Sequence, residues 1–249
     1  MFTVEDRERI RDRVLQIAAN DPRVVSGAIV GSLALSEGDR WSDLDLTFAV
    51  SDDSSLTDVL EDWTRTLAEE FGATPLFDLP SGASIYRVFL LPGCLQFDLS
   101  FTPAASFGAI GPKFKLLFGT AAETSPIGSP APHELFGYAV HHFLRARICI
   151  ERRRFWQAEY WLSSGRDYTL SLACATRGLT PFHGRAFDDL PGELREGFAQ
   201  ALPASLERDD LLAALRAAID GLLREATAVK EVASKVEPQL RQLTKQWNF

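Results

Sequence analysis

Residues 27–50 read GAIVGSLALSEGDRWSDLDLTFAV. An apolar run ends in Gly31-Ser32, a ten-residue polar connection follows, and Asp43-Leu44-Asp45 leads into a second apolar run. Side chains alternate across a strand, so Asp43 and Asp45 share one face while Leu44 and Leu46 take the other. Two carboxylates about 7 Å apart on one strand face repel by about 2 kcal/mol at an effective dielectric of about 20. The pattern asks for a positive charge between them.

A divalent metal meets that need. Hard cations such as Mg²⁺ take one or two protein carboxylates and complete their shell with water and phosphate oxygens. Gly31 lets the backbone approach a phosphate closely, and the Ser32 hydroxyl and amide are donors to it. The plainer alternative, a solvated strand start with an Asx turn at Ser42-Asp43, leaves the second carboxylate and the Gly-Ser pair unexplained.

The order apolar-Gly-Ser, ten residues, Asp-apolar-Asp-apolar resembles the signature of the DNA polymerase β type nucleotidyltransferase superfamily. The fuller string, GSLALSEGDRWSDLDL, is most similar to its small-molecule branch, the aminoglycoside and lincosamide nucleotidyltransferases. The resemblance is strong over the first half of the chain and weak over the second. It implies nucleotidyl transfer, adenylyl transfer from ATP first of all, to a hydroxyl of a small molecule such as one of those antibiotics, with pyrophosphate released. It further implies two Mg²⁺ ions on Asp43, Asp45 and a third carboxylate from a neighbouring strand, with Gly31, Ser32 and Ser42 at the nucleotide. Transfer to a protein or tRNA, of the toxin and antitoxin kind, and a non-catalytic nucleotide-binding regulator are the alternatives.

The chain of 249 residues is 46% hydrophobic and 24% charged, a globular composition. Its net charge of −8 disfavours a polynucleotide partner, whose binding is mainly Lys and Arg against phosphate; a cationic small acceptor suits it better. The opening MFTVEDRERIRDR has no apolar stretch behind its charges, and no run approaches the length of a membrane span. A cytoplasmic protein, monomeric or homodimeric, without a membrane partner, is expected. Cys94, Cys149 and Cys174 fit neither a disulfide framework nor a zinc site and are expected as small buried residues.

Periodicity predicts a helix over 3–19 with Thr3 and Asp6 as a capping box, strands over 24–30 and 44–50, and a short helical or looped piece at 33–37. A helix capped by Ser54 or Ser55 follows, closed by Phe71-Gly72. Residues 84–91 and 95–101 read as a hairpin across Pro92-Gly93. Alternation sets Asp98, Ser100 and Thr102 against Phe97, Leu99 and Phe101, and a carboxylate in a core strand needs a partner. On the resemblance Asp98 is the third metal ligand, with Asp78, in the loop segment Phe77-Asp78-Leu79-Pro80, as the fallback. Residues 114–118 form a last strand, where Lys113 and Lys115 are either phosphate contacts or solvated.

Pro126, Gly128, Ser129, Pro130 and Pro132 break the chain into two domains, 1–125 and 126–249; the resemblance makes the first the nucleotidyltransferase domain and implies a substrate cleft between it and the helical bundle. Helices are expected over 133–153, 155–177, 191–201 and 206–229, continuing towards 245. Strands followed by helices make the class α+β with an appended bundle. On the helix over 155–177, Glu159, Ser163, Arg166, Leu170 and Ala173 share a face. The resemblance to the antibiotic-modifying group implies a carboxylate outside the metal triad as base, for which Glu159 is the candidate, as an alternative to Asp98; Arg166 either binds phosphate or pairs with Glu159. The five arginines of RARICIERRR, 145–154, read as a solvated face at a helix end. His141-His142 has no Cys or acid at metal-ligand spacing, and His183 and Arg185 fall in a loop. The apolar series from Leu211 to Leu223 reads as core.

Overall fold

Thr3 caps the first helix, α1 (Val4–Asn20), accepting from the Asp6 amide while the Asp6 carboxylate accepts from the Thr3 amide. This computed structural model describes residues 1–35, 38–109, 111, 113–123 and 130–245. Glu37 of the predicted short segment, and Pro126, Gly128 and Ser129 of the predicted boundary, lie outside them. The chain divides into two units, Met1–Ile127 and Gly128–Phe249.

The first unit is a mixed sheet backed by helices. β1 (Val24–Val30) and β2 (Leu44–Val50) run antiparallel, joined through a 3-10 turn at Gly31–Leu35. Ser55 caps α2 (Leu56–Phe71), and Gly72 ends it in the left-handed conformation at φ 65°. β3 (Thr74–Ser81), β4 (Ser84–Leu91) and β5 (Leu95–Pro103) form a meander, and β6 (Phe114–Phe118) pairs with β1. The order is β3-β4-β5-β2-β1-β6, with β2 and β5 parallel and the other pairs antiparallel. Ile10 and Val14 of α1 and Trp63 and Leu67 of α2 bury one face of the sheet, against Leu44, Leu46, Phe48, Phe97, Leu99 and Phe101. The acids are left for the other face.

Two expectations need correction here. The segment around Asp78 is a strand, not a loop. It is an edge strand, where Pro75 and Pro80 are tolerated because no further strand needs their missing donors. Cys94 is exposed, in the tight turn between β4 and β5 with φ at 64°, whereas Cys149 and Cys174 are buried.

The second unit is helical: α3 (Pro132–Glu151), α4 (Phe155–Ala175), α5 (Gly192–Ala199), α6 (Arg208–Glu225) and α7 (Lys230–Leu243). A 3-10 turn at Ala226–Val229 separates α6 from α7. Leu211, Leu215, Ile219 and Leu222 are core, packed with Phe143, Leu162 and Leu172. The arginine run is not wholly solvated. Arg147 is fully buried, its guanidinium 2.8 Å from Glu151 and donating to the Leu243 carbonyl at 2.9 Å, which ties the end of α7 to α3. No helix among the described residues is long and apolar enough to cross a membrane.

Candidate active site

β1 delivers Gly31 to the head of β2. Its φ is +71°, and a Cβ on it would lie 2.3 Å from Asp45 Oδ2. Only glycine allows both this backbone conformation and this approach. The Gly31 amide donates to the Lys113 carbonyl at 3.2 Å, so Gly31 contributes space and Ser32 is left as the donor of the pair.

The connection into β2 is a self-bonded turn. Asp39 Oδ1 accepts from the Trp41 amide at 2.8 Å and the Ser42 hydroxyl at 3.2 Å, and Ser42 Oγ accepts from the Asp39 amide at 3.0 Å. The Ser42 side chain is thereby engaged within the turn that presents Asp43. Beneath it Arg7, buried in α1, donates from Nη1 to the carbonyls of Asp39 at 2.8 Å and Ser42 at 2.6 Å. Spacing alone did not single out Arg7. The one signal for it is its place on the apolar stripe of α1, one turn before Ile10 and two before Val14.

Asp98 arrives on the neighbouring parallel strand, in direct register with Asp45. Asp43, Asp45 and Asp98 each offer a carboxylate oxygen within 4.8 Å of the others, and all three are half-buried. Full charges at that spacing repel by about 3 kcal/mol per pair at an effective dielectric of about 20. Burial first, and then the charge of Asp43, push the Asp98 carboxyl above the usual range, while Gln96 Nε2, donating at 3.0 and 3.2 Å, pulls it back. Below the acids the same face carries hydroxyls. Ser100 donates to Thr47 Oγ1 at 2.8 Å, and burial and the charge of Asp45 push the nearby Tyr86 phenol up.

Three hard oxygen donors that repel each other fit a hard divalent cation. Among the described residues this is the one group of three acids, histidines or cysteines so placed. Asp78, the fallback, is elsewhere: it pairs with Arg87, whose row across the sheet runs to the core residue Leu99. Lys115 likewise pairs with Ile29, on the helix-backed face. Glu159 and Arg166 belong to the second unit. Glu159 accepts a hydrogen bond from the Ser163 hydroxyl, and Arg166 Nη2 lies 3.3 Å from Asp167, while its Nη1 is buried without a hydrogen-bond partner.

No family model and no curated protein matches the chain. Similar solved structures include an aminoglycoside 6-adenyltransferase from Bacillus subtilis, 12% identical with a TM-score of 0.41, over 96% of this chain and 99% of that one. Another is the CdnE cyclic dinucleotide synthase of Elizabethkingia meningoseptica with GTP and Apcpp, 13% identical with a TM-score of 0.32, over 92% of this chain and 81% of that one.

Proposed function

We propose that the protein is a divalent-metal-dependent nucleotidyltransferase that moves a nucleotidyl group, adenylyl from ATP first among NTPs, to a hydroxyl of a small molecule such as an aminoglycoside or lincosamide. The observation that carries this is the convergence of Asp43, just before β2, and Asp45, on it, with Asp98 of the adjacent parallel strand, beside a left-handed glycine that opens space next to Asp45.

The three acids would hold two Mg²⁺ ions. Bound there, the metal neutralises triphosphate charge and eases deprotonation of the acceptor hydroxyl. Ser32 donates to the phosphates across the space that Gly31 leaves. Asp98, on the strand beside Asp45, is the first candidate for the acceptor proton. The acceptor oxygen bonds to the α-phosphorus, the bond from that phosphorus to the departing pyrophosphate oxygen breaks, and the proton passes to the carboxylate.

Net charge of −8 favours a small acceptor over a polynucleotide. Modification of an antibiotic hydroxyl would make this a resistance activity.

Pyrophosphate release from each of the four NTPs with Mg²⁺, across aminoglycosides, lincosamides and unrelated polyols, tests the proposal. Acceptor-dependent release that vanishes in a folded Asp43→Ala variant is expected. Full activity in that variant would remove the triad from the chemistry.

A further inference from the structure

Strand register carries the acid face out to the edge of the sheet. Gln96 pairs with Leu90, Asp98 with Val88 and Ser100 with Tyr86 across β5 and β4. Val88 then pairs with Phe77 and Tyr86 with Leu79 across β4 and β3. Directly paired residues share a face, so Phe77, Val88, Asp98 and Asp45 form one row across the sheet, and Leu79, Tyr86, Ser100 and Thr47 the next. On that face Phe77, Leu79 and Leu90 are 52%, 54% and 42% exposed. Single exposed apolar residues are ordinary; three grouped beside a set of acids mark a binding surface.

The shelf is held in place from behind. On the opposite face the Arg87 guanidinium grips Asp78 with two 2.7 Å hydrogen bonds and Thr64 Oγ1 with one of 2.8 Å. The edge is also poorly made for another strand, because Pro75 and Pro80 remove two donors. A small molecule suits it better than a second copy of the chain.

Sheet order decides which small molecule. In β3-β4-β5-β2-β1 the acids stand between the shelf and Gly31-Ser32. Resting on the nucleotidyltransferase reading, which puts the phosphates at Gly31-Ser32, the shelf lies on the acceptor's side. We propose that the acceptor carries an apolar arm that packs on Phe77, Leu79 and Leu90 while its hydroxyl reaches Asp98. Two strand spacings set the Phe77 and Asp98 backbones about 10 Å apart, the span of a hydroxylated ring bearing an alkyl or aryl substituent. Within the small hydroxylated acceptors proposed above, the class narrows to one with an amphiphilic sugar or polyol.

Methyl, butyl and hexyl glucoside, titrated into the full chain with ¹³C-labelled Leu and Val methyls, test this without any turnover. Shifts at Leu79, Val88 and Leu90 are expected, with affinity rising about twofold for each added methylene, half the free energy of full burial. Phe77→Ser, at an exposed position, should weaken hexyl glucoside at least about fivefold and leave the remaining methyl spectrum unchanged. Shifts that ignore chain length, spread beyond the shelf, or survive Phe77→Ser overturn the proposal. So does movement of these three methyls with a non-hydrolysable ATP analogue alone, which would give the shelf to the base. Mg²⁺-dependent binding of that analogue, read in the same samples, reports on the nucleotidyltransferase reading separately: a silent shelf with intact nucleotide binding defeats the shelf alone.

Discussion

Asp45 and Asp98 stand side by side in register on the parallel strands β2 and β5, each with a carboxylate oxygen within 4.8 Å of the other and of Asp43. In the absence of a cation this arrangement costs stability.

The Asp98 carboxyl is raised by burial and by the charge of Asp43, so the folded state holds its proton more tightly than the unfolded chain does. That contribution to stability is present below the ordinary carboxylate range and is lost as pH rises through the raised value. Asp98→Asn should therefore stabilise the metal-free protein at pH 7 by about 1 kcal/mol, a melting temperature about 2–4 °C higher. Nucleotidyl transfer should fall at least about a hundredfold. Calorimetric melting in chelator and a transfer assay check the pair; a lower melting temperature would contradict the repulsion.

Gly31→Ala places a methyl where Asp45 Oδ2 now sits, 2.3 Å from the ideal Cβ, at a φ of +71°. A loss of about 1–3 kcal/mol in chemical denaturation is expected, with activity lost beyond what the destabilisation explains, because Asp45 must move. Wild-type activity would show that the close approach is dispensable.

Arg7 holds two carbonyls of the turn before Asp43. Arg7→Met keeps the stem's bulk and removes the donors, at a cost of about 1–3 kcal/mol. As a positioning residue it should raise the Mg²⁺ concentration for half-maximal activity about tenfold while the maximal rate changes little. An unchanged Mg²⁺ dependence would leave Arg7 a purely structural residue.

Asp21 accepts from Arg23 Nε and Nη2 and from the Trp63 indole, and is lowered to about 2, chiefly by Arg23. Its stabilisation is present above the ordinary carboxylate value and is lost as pH falls through about 2. Asp21→Asn should cost on the order of 1–2 kcal/mol at pH 7, discounted for partial exposure, and flatten acid unfolding between about pH 4 and 2. A parallel pH curve for the variant would contradict this.

What the sequence made legible is what repeats at short range. The alternation in 44–50 and 95–101, the Thr3 and Asp6 box and the Gly72 stop are local patterns, and the structure reproduces them. β3 escaped because an edge strand exposed on both faces has no alternation, and its two prolines mimic a loop. Arg7 escaped because its partners are backbone carbonyls 32 and 35 residues away, and the burial of Arg147 because it depends on the Leu243 carbonyl 96 residues away as well as on Glu151 one turn on. The placement of Asp98 beside Asp45 needed the parallel pairing of β2 and β5. Alternation shows which way Asp98 points but not which strand it joins.

The most direct measurement is calorimetric titration of a non-hydrolysable ATP analogue into the wild-type and Asp98→Asn proteins, each with Mg²⁺ and with chelator. The account predicts Mg²⁺-dependent binding by the wild-type protein and at least a tenfold weaker Mg²⁺ effect in the folded variant. Equal binding by both proteins, or binding indifferent to Mg²⁺, would contradict a metal-nucleotide site on Asp43, Asp45 and Asp98.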